Sequence, residues 1–213
     1  MGKSAFRRRR VEPRKPALRL PQADRKRQLL NQAKQLFSTL GYHATTTEKI
    51  AQAAGVTEPV LYRHFDDKKA LFLEVLQDIR SITLQHWQAE MAQHPDPQAK
   101  LQAIARIYLG SIRDHPLEFS ALHHSLLETK DAETAAFLRA FYLDCEATLA
   151  QVIVDGQQAG VFRPDLDPRV GAWELIRSGL AYTLTLPLDI PLYGEPDYAD
   201  RAIHCLLECL LRK

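Results

Sequence analysis

Residues 46–72 read TTEKIAQAAGVTEPVLYRHFDDKKALF, and within this stretch the local signals for two short helices meeting at a tight corner follow one another. A helix over residues 48–54 is introduced by Thr45, Thr46 and Thr47, whose hydroxyls can cap free amides, and Thr45 with Glu48 has capping-box spacing. Ile50, Ala51 and Ala54 make its apolar face, and Ala51 is small enough to let a second helix cross closely. Gly55 stands where the corner needs a left-handed backbone, which glycine adopts without steric cost. Thr57 reads as the N-cap of the next helix, where Pro59 is tolerated because first-turn amides have no helical partner. With Val56 plugging the corner and Leu61 packing back, Thr57, Glu58, Pro59, Val60, Tyr62 and His64 face outward. They lie on a helix short enough to enter a DNA major groove.

Lys68 breaks a local rule, because a cation in the first turn opposes the helix macrodipole. It reads as one partner of an external anion such as a DNA phosphate, or as a solvated lysine. Tyr62 and His64 read likewise as phosphate donors or as packed surface aromatics.

Upstream, Leu29, Leu30, Ala33, Leu36, Phe37 and Leu40 have the spacing of an amphipathic helix closed by Gly41. Downstream the pattern is helical, predicting helices at about 67–93, 97–114, 116–128, 131–158, 168–186 and 197–212. Strand alternation and long-period repeats are missing, so the predicted class is all-α. A three-helix helix-turn-helix DNA-binding domain over residues 23–70 is followed by a larger helical domain over 71–213.

The 213 residues are 46% hydrophobic and 25% charged, the profile of a globular protein. Cys145, Cys205 and Cys209 are too few and too odd for a disulfide framework and fit a reducing cytoplasm. No apolar run is long enough for a membrane helix, and no signal-peptide core follows the Arg-rich start. The net charge of +2 hides an asymmetry: eleven of the 28 Lys and Arg fall in residues 1–27, beside only Glu12 and Asp24. Residues 1–22, with three prolines, read as a disordered basic arm that either attracts a polyanion or is simply solvated.

The order Thr46-Thr47, Ile50-Ala51, Ala54-Gly55-Val56, Leu61-Tyr62, His64-Phe65, Lys68 and Leu71 resembles the TetR (tetracycline-repressor-like) transcriptional regulators. The resemblance is close over about residues 25–75; beyond it, helix count and the Gly160–Pro168 linker are similar to the family. It implies that Thr57, Glu58, Pro59 and Val60 begin the recognition helix and that Thr47, Tyr62, His64 and Lys68 contact phosphates. Thr46 and Arg63, the main bidentate donor of the segment, complete the DNA-facing set with Glu48. Glu48 departs from the pattern, because some relatives place a base-contacting arginine there; a carboxylate accepts from cytosine N4 and repels phosphate.

The resemblance also implies an effector pocket among the middle helices. Its candidate lining is Trp87, Met91, Ile104, Tyr108, Phe119, Leu122 and His123, then Phe137, Phe141, Tyr142, Trp173, Ile176 and Arg177, most of which should prove plain core. Arg106, Arg139 or Arg177, if buried, would orient an anionic group. Helix-turn-helix readers usually work as dimers, and the last helix is apolar around much of its circumference. Gly171, Ala172 and Gly179 with Ile203, Leu206, Leu207 and Leu210 are therefore the expected dimer interface, the alternative being a last helix deeply buried within one monomer.

Other chemistry finds little support. His204, Cys205 and Cys209 do not share one helix face, so no metal site is expected. His123, His124 and Ser125 diverge around a helix and make no nucleophile setting. No phosphate-cradling glycine loop exists. The expectation is a cytoplasmic, homodimeric repressor, not an enzyme and without a cofactor. It is released from a palindromic double-stranded DNA operator by a small, largely apolar effector. The alternative is a ligand-independent DNA organiser or partner-binding protein on the same fold.

Overall fold

The computed structural model describes residues 21–114 and 131–211. The expected helix at 116–128, with Phe119, Leu122, His123, His124 and Ser125, and residues 1–20 of the basic arm lie outside the described residues. The others form helices α1 (Gln22–Ala44), α2 (Thr47–Ala53), α3 (Glu58–Leu61), α4 (Lys68–Met91), α5 (Pro97–Asp114), α6 (Ala132–Gln158), α7 (Pro168–Thr185) and α8 (Tyr198–Glu208). Two short 3-10 turns, Leu186–Leu188 and Pro191–Gly194, fill the expected break before α8. An isolated antiparallel bridge, Phe162 to Leu211, is the sole extended pairing among the described residues.

Short-range chemistry explains the helix limits. Asp67, Asp131 and Asp167 each accept a first-turn amide: from Ala70 at 2.7 Å, Thr134 at 2.8 Å and Arg169 at 2.8 Å. In α1 the helix breaks at Gly41, whose φ of 74° is left-handed, and the chain then makes one further turn to Ala44. Thr45 is not a cap. It is fully buried, and its hydroxyl turns back to the carbonyls of Leu36 (3.1 Å) and Gly41 (2.8 Å), leaving Thr46 to cap α2 by accepting from Lys49 N at 3.2 Å. Thr57 makes no side-chain cap; its carbonyl takes Val60 N at 2.9 Å instead.

One core runs through both parts of the chain. Leu29, Ala33 and Phe37 of α1 and Ile50, Ala51 and Leu61 of the corner meet Leu71, Phe72, Val75, Leu76 and Ile79, one stripe of α4. Further along α4 the core continues through Trp87 to Leu101 and Ile104 of α5 and to Leu138, Phe141, Cys145 and Leu149 of α6. Ion pairs strap the same helices together from outside: Lys26–Glu74 and Lys34–Asp78, each 2.6 Å, join α1 to α4. Lys69 with Asp131 (2.7 Å) and Glu133 (2.8 Å), and Arg80 with Asp144, join α4 to α6. The Lys69 ammonium, ahead of the Thr134 amide, holds the Asp131 carboxyl down to about 2. Apart from the buried Lys34 side chain these groups are partly exposed, so such pairs add little stability while fixing how the helices align.

Glu146 differs, being only 5% exposed. Its carboxylate accepts from the Arg169 guanidinium and from the Trp173 indole at 2.8 Å, pinning α6 to the start of α7. Arg169 and then Trp173 hold this carboxyl below the ordinary carboxylate range. A depressed folded-state value contributes stability above the unfolded value, which is lost as pH falls through the folded one. Arg169→Ala removes the larger cause and leaves a buried carboxylate, so its stability deficit should be largest near pH 7 and shrink below about pH 4.5. Urea midpoints at pH 7 and pH 4 test this; a deficit independent of pH sinks it.

Candidate functional site

The helix-turn-helix corner is built as a rigid unit. Gly55 is left-handed at φ 65°, and Val56 N returns to Ala51 O at 2.9 Å to close the turn. Leu61 is fully buried beneath it, which fixes the opposite side of α3 outward. On that surface Thr46, Glu48, Thr57, Pro59, Tyr62 and Arg63 are exposed, and Thr47, Glu58, Val60, His64 and Lys68 are half-buried.

Several of these side chains are pre-engaged with one another. Thr47 Oγ1 donates to Glu58 Oε1 at 2.6 Å. Because that bond uses its only proton, the 3.2 Å contact with Tyr62 has the phenol donating to Thr47. Tyr62 itself is 49% exposed, with its ring edge available to a docked surface. Lys68 resolves its own anomaly inside the chain. Its Nζ donates to the carbonyls of Tyr42 (3.0 Å) and Thr45 (3.1 Å) and lies 4.2 Å from the Tyr42 ring centroid. The ammonium thus satisfies the carbonyl end of α1, and of its three protons one is left for an external anion.

The larger helical part encloses a cavity of about 560 Å³ between α4, α5, α6, α7 and α8, within the range of ligand pockets. Trp87, Ile104, Tyr108, Phe141, Tyr142 and Ile176 of the expected set line it. Met91 and Phe137 pack against the core beside it, and Trp173 and Arg177 border a shallow depression on the outer side of α7, where Trp173 serves Glu146. Arg106, Arg139 and Arg177 are all exposed. Lining residues that periodicity did not single out include Thr83, Tyr182, Tyr193 and Tyr198. The three tyrosines, from α7, the second 3-10 turn and α8, cluster with centroids 5.0 to 5.8 Å apart. Three tyrosines around a proline-rich break were the available signal. The cavity opens beside Ala181 and Cys205, the exposed members of its lining.

Most of the expected dimer residues pack within their own protomer. Gly171 and Ala172 are buried, with Ile153 and Leu166 packed on Gly171, and Ile203, Leu207 and Leu210 are each under 5% exposed. Gly179 is the berth of Tyr108, since a Cβ there would lie 2.7 Å from the ring, and Leu206 lines the cavity. An apolar helix face looks the same in sequence whether it meets its own chain or another. The outward face of α7 is instead Val170, Glu174, Arg177, Ala181 and Leu184, continued by Leu188, all exposed at alternating three- and four-residue steps.

Residues 29–75 match the family model of bacterial regulatory proteins, tetR family. The chain is similar to the HTH-type transcriptional activator FasR of Mycolicibacterium smegmatis, 51% identical over 59 residues, 28% of this chain and 27% of FasR. That match spans about a quarter of FasR's length. Similarity to the HTH-type transcriptional repressor KstR2 of the same organism is lower, 26%, but runs over 145 residues, 68% of this chain and 71% of KstR2. Among solved structures, AibR in complex with isovaleryl coenzyme A and operator DNA has the same fold, with a TM-score of 0.69 at 23% identity over 88% of this chain and 98% of AibR.

Proposed function

The chain belongs to the tetR family of bacterial regulatory proteins, and on that premise we propose that it is a homodimeric repressor released from a palindromic operator by a small, largely apolar effector. The family and these relatives are transcriptional regulators, not enzymes. One observation carries the reading: α4 starts at Lys68, beneath the recognition segment, and reaches the cavity at Thr83 and Trp87. Its 24 residues, about 36 Å of helix, make a lever between the two parts. A ligand that fits the cavity better in one tilt of α4 than in another changes the separation of two recognition helices, which must lie about 34–36 Å apart on DNA. Moving the protein from mostly bound to mostly released needs a 10³- to 10⁴-fold affinity difference between the two forms, about 4–5.5 kcal/mol. The repressor sense is supported by KstR2, which is matched over 68% of the chain, whereas FasR is matched over 28% of it.

The exposed Val170, Ala181, Leu184 and Leu188, with the Glu174–Arg177 ion pair between them, supply the face for the second copy. The protein works on cytoplasmic DNA, and no helix among the described residues is long and apolar enough to cross a membrane. Footprinting on the DNA flanking its own gene at physiological salt should give a two-fold-symmetric protected site; uniform, salt-labile binding would instead indicate a DNA organiser. Tyr62→Ala should weaken binding to all sequences by about 1–3 kcal/mol with the fold intact. Lys68→Ala should lower both DNA affinity and unfolding stability, because it also strands the Tyr42 and Thr45 carbonyls. Unchanged DNA affinity in both variants refutes the proposed phosphate contacts.

A further inference from the structure

The charged groups of the helix-turn-helix corner are not all available to an outside partner. Residues 46–68 carry three cations, Lys49, Arg63 and Lys68, and four carboxylates, Glu48, Glu58, Asp66 and Asp67. Two of the cations are turned onto the chain itself: Lys49 Nζ donates to Ala44 O at 2.8 Å, and Lys68 Nζ donates to the carbonyls of Tyr42 and Thr45. Asp67 is committed to the Ala70 amide at the start of α4. Guanine is read by a donor to its O6 and N7, and the exposed Arg63 is left for that role. A carboxylate reads the opposite pattern. It only accepts, so it needs the amino group of cytosine or adenine.

Of the two carboxylates on α2 and α3, Glu58 is the one held in place. The Glu48 side chain is exposed and makes no hydrogen bond among the described residues, whereas Glu58 is half-buried and its Oε1 takes the Thr47 proton at 2.6 Å. Thr47 is fixed in turn by the Tyr62 phenol, 3.2 Å away. This relay crosses from α3 to α2 and back, and it ends on a carboxylate whose Oε2 has no hydrogen-bond partner among the described residues. A side chain held before docking loses less rotamer freedom on binding. A phosphate that takes the Tyr62 proton leaves the arrangement intact, since Thr47 accepts from Tyr62 but donates to Glu58.

The geometry points to Glu58 as a specificity-determining residue that accepts from the N4 amino group of one cytosine in each operator half-site, with Thr47 as its positioning residue. This rests on the reading of α3 as the DNA-recognition segment and adds the base that it reads. Cytosine is favoured over adenine because its amino group is flanked by a C–H edge, whereas adenine sets the N7 acceptor beside N6 and so against the second carboxylate oxygen. Thymine O4, or guanine O6 and N7, would face the carboxylate acceptor to acceptor with no proton between them. The wrong base is thereby penalised, not merely left unrewarded.

Selection of binding sites from a random duplex library with the full-length protein, followed by competition titrations with single-base variants, tests this. The wild type should enrich a two-fold-symmetric motif in which one cytosine per half-site is preferred about tenfold over the other bases at its position. Glu58→Gln should move that position toward adenine, which a side-chain amide reads through N6 and N7, and leave the rest of the motif unchanged. Thr47→Val keeps the shape but removes the hydroxyl, so it should flatten the preference at the same position, and Thr47→Ser should restore it. A merely structural role for Glu58 would instead lower affinity for every sequence alike. A motif identical in wild type and Glu58→Gln, or changes spread over all positions, overturns the proposal and leaves the regulator reading standing. Failure of the wild type to enrich any motif overturns both.

Discussion

Phe37→Ala is expected to destabilise the protein by about 3–5 kcal/mol, a large part of the stability of an ordinary domain. Phe37 is fully buried where α1 crosses α4, edge-on to Phe72 with centroids 4.9 Å apart and stacked on Tyr42 at 6.0 Å. Truncation removes the apolar transfer energy and leaves a hole that two helices held by ion pairs cannot easily close. Tyr42 also carries the carbonyl and ring that hold Lys68. Loosening it frees the base of α4, and DNA affinity should fall even where the protein remains folded. Phe37→Leu, which refills most of the volume, should recover most of both. Urea unfolding with a DNA-binding isotherm on the three proteins tests this; a loss under about 1 kcal/mol would falsify the account of the junction.

The second large effect lies at the far end of the molecule. Phe162 is fully buried in the return between α6 and α7, pressed on Gly156 so closely that a Cβ there would come within 2.1 Å of the ring. Phe162→Ala should cost about 3–5 kcal/mol. Gly156→Ala should itself cost about 1–3 kcal/mol from overpacking, although alanine favours the helix more than glycine. The double variant is the informative one: with the ring gone the new methyl enters empty space, so it should be no less stable than Phe162→Ala alone. If the two single losses add, the clash is not the source of the Gly156 effect. Thermal or urea midpoints of the three variants decide between these.

The corner at residues 46–65 was legible in sequence because its determinants act over a few residues. Gly55 is read from its neighbours and adopts the expected left-handed backbone, and Leu61 packs beneath it as its spacing requires. The helices after it were legible for the same reason. Asp67, Asp131 and Asp167 mark starts chemically, and Pro97 and Pro168 stand where first-turn amides need no partner. Thr45 escaped this logic because its hydroxyl chose carbonyls four and nine residues back over the amide three ahead.

What each apolar face meets is a different kind of question. Ile203, Leu207 and Leu210 have the pattern of an interface, and only the placement of α8 against α5 turned them inward. Lys68 looked unpaired because its partners, 23 and 26 residues away, come near only when α1 and α4 cross. The cavity is longer-ranged still, joining Trp87 to Tyr198 across five helices. By itself, then, the sequence determined helix content and the helix-turn-helix, carried by local periodicity, capping and turn chemistry, and its motif order resembled the family. The tertiary structure alone decided which side of each helix is core and where a void is left. Those depend on packing between segments distant in the chain, about which short-range patterns carry no information.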